Sequence, residues 1–561
     1  MVRRSLSVTI LSEIPADGVP CDICIVGTGP AGIALALECE RHGLRVLALE
    51  AGAQKDQGRI RGSETEILTP AHHAPLHVTT RSAFGGTSWG WSGLCTRFDD
   101  IDFEVREHVP DSGWPFAHGE LARHYETAAG ILNCRMDHVL PVDESWQGLD
   151  GVKLENRLYT SAQPRLGESH WNHFTGSQAI AVCLDSVVVG LDLDAEGKRV
   201  ESLAVRSGGR TVVLRPPHVV LAGGGLRSTQ LLLKAQRRWP NHFGGIDGPL
   251  GRYYMGHLTG WISSIRFSNP ADAAYFKPVT VEGASSVQRR FSITPEVQRA
   301  ERLQNIVLWA GARALYDPMH ADGTLSAAYL ALAMPGIGAR LLSPPLRRAS
   351  LGPTPRRYMP HVLNIMRAPL RTARGAVRAA GSRLRAQRVL GQWPDEDPSH
   401  VFLLTYHAEA APDRDSRVTL GEGTDSFGLP RLRIDLRFSD ADVQSTVRAH
   451  RVLDRALRQS GKAHLEYLAP PEELAARALE QATDGYHQLG LTRMGLDPRE
   501  SIVDPNCRVH GVDNLFVASG SVFPTSGQGN PTLLTAALAV RLARYLAAMP
   551  RAEQLSAQRA S

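Results

Sequence analysis

One stretch near the start of the chain, CDICIVGTGPAGIALALECERHGLRVLALEAG over residues 21–52, restricts the fold more than any other. An apolar run, Ile23 to Val26, ends at Gly27, and Thr28, Gly29, Pro30, Ala31 and Gly32 complete a GxGxxG. An apolar helical stretch (Ile33 to Cys39) follows, then a second strand-like run from Arg45 to Leu49 that ends in Glu50. Strand, glycine turn, helix, strand and terminal acid in this order make a dinucleotide-binding unit. Gly27 permits the tight turn. Gly29 lets a pyrophosphate approach the backbone at a helix N-terminus, where N–H groups and the dipole favour an anion. Gly32 lets helix and strand pack closely, and Glu50 can accept hydrogen bonds from a ribose. The fingerprint alone does not separate FAD from NAD.

At 561 residues the chain can bury a large core, so two domains, or one with a large insertion, are expected. No uninterrupted apolar run approaches the eighteen or so residues that span a bilayer, and the N-terminal MVRRSLSVTILSEIPADG reads as no signal peptide, which makes the cytoplasm the expected compartment. The seven cysteines are scattered and odd in number, as in a reducing compartment. Cys21 and Cys24 form a CxxC at the start of a buried strand, where packing explains them. The net charge of +5 hides an asymmetry: Gly323 to Pro394 holds twelve Arg and no Asp, Glu or Lys. The remainder has 50 basic and 57 acidic residues and would carry −7.

Two further stretches carry glycine beside chemistry. Residues 84–98, FGGTSWGWSGLCTRF, alternate glycines, small hydroxyls and tryptophans, a composition that lets backbone approach a flat ligand. At the other end, YHQLGLTRMG and NLFVASGSVFPTSGQGNPTLLTAALAVRLARYL place His487 and Asn530 forty-three residues apart, each beside glycine-rich backbone. A neutral imidazole can take a hydroxyl proton near neutral pH. Asn cannot act as a base there, but it can hold an alcohol oxygen by hydrogen bonding as charge develops.

With VVLAGGGLRSTQLLL (219–233) and GRYYMGH (251–257), these motifs resemble the glucose–methanol–choline (GMC) flavoprotein oxidoreductases, in family order from residue 21 to 545. The resemblance implies an α/β fold (α+β overall): a discontinuous Rossmann-like FAD-binding domain and a substrate domain of sheet plus helices. It implies that Gly27, Gly29 and Gly32 hold the FAD pyrophosphate and Glu50 the ribose. Gly85, Gly86 and Thr87 would lie along the flavin, and Val188 would contact the adenine. Gly223 and Gly224 would make the second cofactor contact, Gly520 and Ser521 would meet the pyrophosphate, and Asn530 with Pro531 the isoalloxazine edge. His487 would be the base and Asn530 its partner, the His–Asn type. Gly90 stands where some members tether FAD through His, so non-covalent FAD is expected. No metal site is expected. Leu491 replaces the first Thr of the usual HxxGTxRMG, which removes a hydroxyl near His487.

By this resemblance 15–95, 180–260 and 485–548 form the FAD domain, and 96–179 with 261–484 the substrate domain. An Arg-rich helical insertion is expected over 340–390 and a frayed tail over 549–561. SRVTL (416–420) and PRLRIDL (430–436), flanking GEGTDSFG, read as strands of the substrate domain, and Asp440 to Leu457 as a helix. The GGTSWGW, LGRYYMGH and SRVTL combination is similar to bacterial sugar-oxidising branches, including those acting on the 6′-alcohol of aminoglycoside precursors such as paromamine. The expected reaction is oxidation of a primary alcohol of a sugar or aminosugar to the aldehyde, with further oxidation to the acid through its hydrate. Oxygen or another acceptor would reoxidise the flavin. Two alternatives stay open: a membrane-peripheral dehydrogenase subunit feeding a haem or quinone partner, and a lyase with structural FAD. The basic segment has few aromatics and no recognition motif, so no nucleic acid is expected; attachment to a membrane surface is possible but second to a solvated lid.

Overall fold

The computed structural model describes residues 10–15, 18–58, 64–136, 141–280, 286–311, 315–334, 336, 351–352, 355–384 and 400–549. The expected tail beyond 549, and 340–350, 353–354 and 385–390 of the expected insertion, lie outside the described residues.

The short apolar runs form a six-stranded parallel sheet. Its spatial order is Ile10–Leu11, Ile180–Cys183, Val46–Leu49, Ile23–Val26, His218–Leu221, Leu515–Val517. These strands are buried along nearly their whole length, as strands of a parallel sheet covered on both faces are. The helix Pro30–Arg41 packs on the C-terminal helix Thr532–Ala548, and Arg544 Nε donates to Glu38 Oε1 across that contact at 2.7 Å. Gly32 is fixed by the packing of this helix on the strand before it: a Cβ there would sit 2.1 Å from the carbonyl oxygen of Gly27. Cys24 lies inside the central strand, and burial pushes the Cys21 thiol up to about 12 and that of Cys24 well above its usual value. Neither is a thiolate at neutral pH, which agrees with packing.

A second, antiparallel sheet of eight strands is built from the middle of the chain. Its order is Ala463–Tyr467, His257–Phe267, Val401–Glu409, Ile306–Gly311, Ser286–Ile293, Val152–Thr160, Leu94–Cys95, with Val279–Thr280 paired to Ser286–Ile293. The helix Asp440–Ser460 covers it. Ser439 and Asp442 close a capping box at its start, and Gly461 (φ 70°) ends it, so it runs one turn beyond the expected Leu457; such a cap is worth about 1 kcal/mol. A buried bidentate ion pair, Arg106 to Glu409 at 2.7 and 2.6 Å, joins the loop after the second glycine stretch to this sheet.

One element departs from expectation. The hairpin Arg417–Thr424 and Pro430–Asp435 does not join the large sheet. It pairs in parallel with Thr65–Ile67, near the N-terminus. It packs Val418, Leu432, Ile434 and Leu436 against Leu226, Tyr254 and Leu491. Alternation marked it as strand; nothing local marked its partner.

Candidate active site

The crevice opens at the carboxyl ends of the parallel strands, where the strand order changes direction, the general ligand position of such sheets. It encloses about 1470 Å³ counted to its open mouth, and Gly27, Gly29, Glu50, Gly86, Thr87, Val188, Gly223, Gly520, Pro531 and His487 line it. The walls are built from glycine contacts. A Cβ on Gly86 (φ 53°) would fall 2.7 Å from Gly29 Cα, so the second glycine stretch closes directly onto the first. A Cβ on Gly29 would meet nothing within 4 Å, and no side chain caps the helix it starts. The first-turn N–H groups therefore face open space. The helix Gly224–Arg238 also starts without a side-chain cap, at Gly223.

Four expected residues do not line the crevice. Gly32 packs helix on strand as described. Gly85 sits against Gly167, whose amide nitrogen would be 2.5 Å from its Cβ. The Ser521 hydroxyl is held between Thr492 (2.7 Å) and Ser519 (2.8 Å). Asn530 is half-buried directly before the lining Pro531. Conversely, Phe427 and Leu429 line the crevice from the turn expected in the substrate domain, and Asp425 in that turn pairs with Arg227 at 3.2 Å.

Glu50 is 5 % exposed at the end of its strand. Its carboxylate accepts from the Thr28 amide at 3.2 Å and the Gly52 amide at 2.9 Å. Burial raises its pKa despite these donors.

His487 belongs to a group that extends beyond the expected pair. Asp484, three residues earlier and 3 % exposed, accepts at Oδ1 from the amides of Tyr486 (2.8 Å) and His487 (3.0 Å), and at Oδ2 from the amide of His257 (2.7 Å). Its Oδ2 also lies 3.0 Å from His487 Nδ1. Burial pushes the Asp484 carboxyl up, but the His487 and His257 imidazoles and these donors hold it well below the usual carboxylate range. Gly256 makes room for it: a Cβ there would be 2.7 Å from Asp484 Cβ.

His257 and His407 come from adjacent strands. His257 is paired with Glu409 and Thr259 with His407, so the two imidazoles are diagonal neighbours and stack at 4.1 Å. His257 Nε2 lies 3.2 Å from the Ser526 carbonyl, and His407 Nδ1 2.8 Å from that of Gln528. Each of those nitrogens must donate, since a carbonyl only accepts. This ties the segment leading to Asn530 onto the imidazoles. His257 Nδ1 is then an acceptor, 2.9 Å from His487 Nδ1. Burial lowers the pKa of both His257 and His407, the latter well below the usual value. In the neutral imidazole His487 Nδ1 then carries the proton, facing Asp484 and the His257 lone pair, which leaves Nε2 as the acceptor of a residue that lines the crevice.

One nitrogen each of His257, His407 and His487 lie within 4.8 Å of one another, as metal ligands would. Leu491 does not disturb this network. Its side chain packs in the apolar cluster under the hairpin, and the hydrogen bonds to His487 come from Asp484 and His257. Sequence reasoning quoted GRYYMGH without giving His257 a role. The DGYH spacing was the available signal for Asp484; His407, in an ordinary apolar strand, had none.

A glycine-lined crevice on a parallel sheet, set against an antiparallel sheet that supplies polar side chains, defines a two-sheet dinucleotide-binding fold. Residues 412–539 match GMC oxidoreductase. It is 40 % identical over 200 residues to C-glycoside 3-oxidase of Arthrobacter globiformis, covering 30 % of this chain and 36 % of that one. It is 33 % identical over 136 residues to paromamine 6′-oxidase of Streptomyces fradiae, 24 % of each chain. These alignments span at most about a third of either relative. The fold as a whole is that of pyridoxine 4-oxidase from Mesorbium loti, with TM-score 0.53, 18 % identity, and 94 % of this chain and 99 % of that one covered. The family implies FAD as cofactor, and the residues fit it: an uncapped helix start beside open space at Gly29, and a buried acid at the second strand's end.

Proposed function

We propose that this protein is an FAD-dependent oxidoreductase that converts a primary alcohol of a sugar or aminosugar, such as a paromamine-like 6′-hydroxyl, to the aldehyde and then, through the hydrate, to the acid. The observation that carries this reading is His487 on the crevice lining with its Nδ1 3.0 Å from Asp484 Oδ2 and 2.9 Å from His257 Nδ1, contacts that leave Nε2 as the acceptor of a neutral imidazole. The partial likeness to C-glycoside 3-oxidase and paromamine 6′-oxidase supports a sugar or aminosugar as the substrate.

Non-covalent FAD would be held by Gly27, Gly29, Glu50, Gly86, Gly223 and Gly520, and its isoalloxazine supplies the hydride acceptor when bound. His487 Nε2 takes the hydroxyl proton of the alcohol. Asp484 keeps the resulting imidazolium oriented and offsets its charge, as a carboxylate behind a catalytic histidine does. Asn530 donates to the alcohol oxygen as charge grows on it. The hydrate of the aldehyde offers the same O–H and C–H arrangement, so the same base serves the second oxidation. Oxygen or another acceptor completes the cycle. Residues 15–95, 180–260 and 485–548 serve as the cofactor domain in this reading, with the 425–429 turn added to it.

The test is anaerobic mixing of the purified yellow protein with a panel of sugars and aminosugars. Bleaching of the flavin is expected with at least one primary alcohol, and its loss with His487→Ala at unchanged flavin content. Turnover of an alcohol without any spectral change would replace this reading by a lyase with structural FAD.

A further inference from the structure

The described part of the acid-free segment is helical and follows the strand Ile306–Gly311. Its described helices are Gly323–Ala333, Met359–Arg367 and Pro369–Leu384. The second of these has its polarity reversed. Its buried side chains are polar: His361 stacks on Tyr329 at 4.1 Å and meets the Ser326 hydroxyl at 3.1 Å, and Asn364 donates to the Pro318 carbonyl at 2.8 Å and to Ser326 at 3.2 Å. Thr372, on the third helix, is buried against Gly323. The apolar residues face outward: Met359 is 67 %, Val362 36 %, Leu363 47 % and Met366 69 % exposed. Their spacing, i, i+3, i+4, i+7, is one helix face. Leu370 and Val377, seven residues apart on the next helix, are 77 % and 72 % exposed. A helix that buries its amides and displays its methionines and leucines is arranged for a medium other than water.

The charge around this face has one sign. Arg357, just before the first of these two helices, and Arg367, Arg371 and Arg374 on them are all exposed, and no Asp, Glu or Lys occurs from Gly323 to Pro394. The acids just before it are used as caps: Asp322 accepts from the amides of Thr324 and Leu325 at the start of the first helix, and Asp317 from that of Met319. Apolar side chains flanked by arginines match a lipid surface with anionic headgroups, the apolar face entering the acyl boundary and the guanidinium groups meeting phosphates. No helix among the described residues is long and apolar enough to cross a membrane, so the contact lies along the surface.

We propose that the helices Met359–Arg367 and Pro369–Leu384 dock the protein onto an anionic phospholipid bilayer, through Met359, Val362, Leu363, Met366, Leu370 and Val377 with the flanking arginines. The inference does not depend on the reaction proposed above.

The test is co-sedimentation of the purified full chain with vesicles of phosphatidylcholine alone or with 30 % phosphatidylglycerol (about that fraction suffices for a strong surface potential), at low and high salt. Binding is expected to the anionic vesicles and to weaken as salt rises. Leu363→Ser with Met366→Ser should lower the fraction bound about tenfold at every salt concentration. Arg367→Gln with Arg371→Gln and Arg374→Gln should abolish the preference for anionic lipid. The thermal midpoint and flavin content of both variants report whether each stays folded. Absence of binding to anionic vesicles at low salt would overturn the proposal. So would binding unchanged in both folded variants. Concentration-dependent self-association that disappears in Leu363→Ser with Met366→Ser, without lipid binding, would assign the face to a second copy of the chain instead.

Discussion

The proton on His487 Nδ1 has two acceptors, Asp484 Oδ2 at 3.0 Å and His257 Nδ1 at 2.9 Å. Each acceptor is fixed by backbone: Asp484 by three amides and His257 by the Ser526 carbonyl. The base is therefore oriented by main chain through two intermediaries, not by its own packing. Asp484→Asn keeps the shape but presents an N–H where a lone pair is needed. We expect kcat to fall about 10²-fold or more, the range of a general base's contribution, with KM little changed. The buried His257 amide, left without its Oδ2 acceptor, should also cost about 1–3 kcal/mol of stability. Steady-state kinetics on flavin-replete protein, with chemical denaturation alongside, checks both. A variant with wild-type kcat would remove Asp484 from the mechanism.

At the scale of elements, the crevice depends on two glycine turns that touch. Gly86→Val places a Cβ 2.7 Å from Gly29 Cα at a residue with φ 53°, a conformation that β-branched residues avoid. The expected result is a protein purified with little flavin, its 450 nm absorbance per chain reduced about tenfold or more, the steric cost falling on the cofactor wall. Undiminished colour would show that the two turns can separate. Both turns were legible in the sequence because glycine is demanded locally, by φ and by close approach. The βαβ unit and the capped helix from Asp440 were legible for the same reason: period, cap and turn residues lie within a few positions of each other. The hairpin at 417–435 was legible as strand but not as a neighbour of Thr65–Ile67, since pairing across that distance leaves no local mark. His257 and His407 were missed likewise. Only strand register brings them together, and register is a property of the sheet.

For the molecule as a whole, buried neutral histidines make stability depend on pH. His450, fully buried on the helix Asp440–Ser460, donates Nδ1–H to the Thr446 carbonyl at 2.8 Å. Burial lowers its pKa from 6.5 to about 4. Unfolded chains bind a proton there below about pH 6.5 while the folded chain does not until about pH 4. The stability this residue contributes is thus complete above pH 6.5 and is lost as pH falls toward 4. Between pH 7 and pH 5 the loss is about 2 kcal/mol. Denaturation of wild type and His450→Gln at the two pH values checks this: the variant should lose less stability by about that amount. Equal losses would mean that His450 titrates normally in the fold.

The site's partners are far apart along the chain: His257 and His487 are separated by 230 residues, and His257 and Ser526 by 269. The last strand of the parallel sheet, Leu515–Val517, and the helix Thr532–Ala548 come later than nearly everything they pack against. During synthesis, most of both sheets can form before His487 and Asn530 leave the ribosome, and the imidazole cluster closes only when the final segment threads between them. The chemistry thus arrives after the scaffold, and a nascent chain stalled before Asp484 would hold a crevice floor without its base.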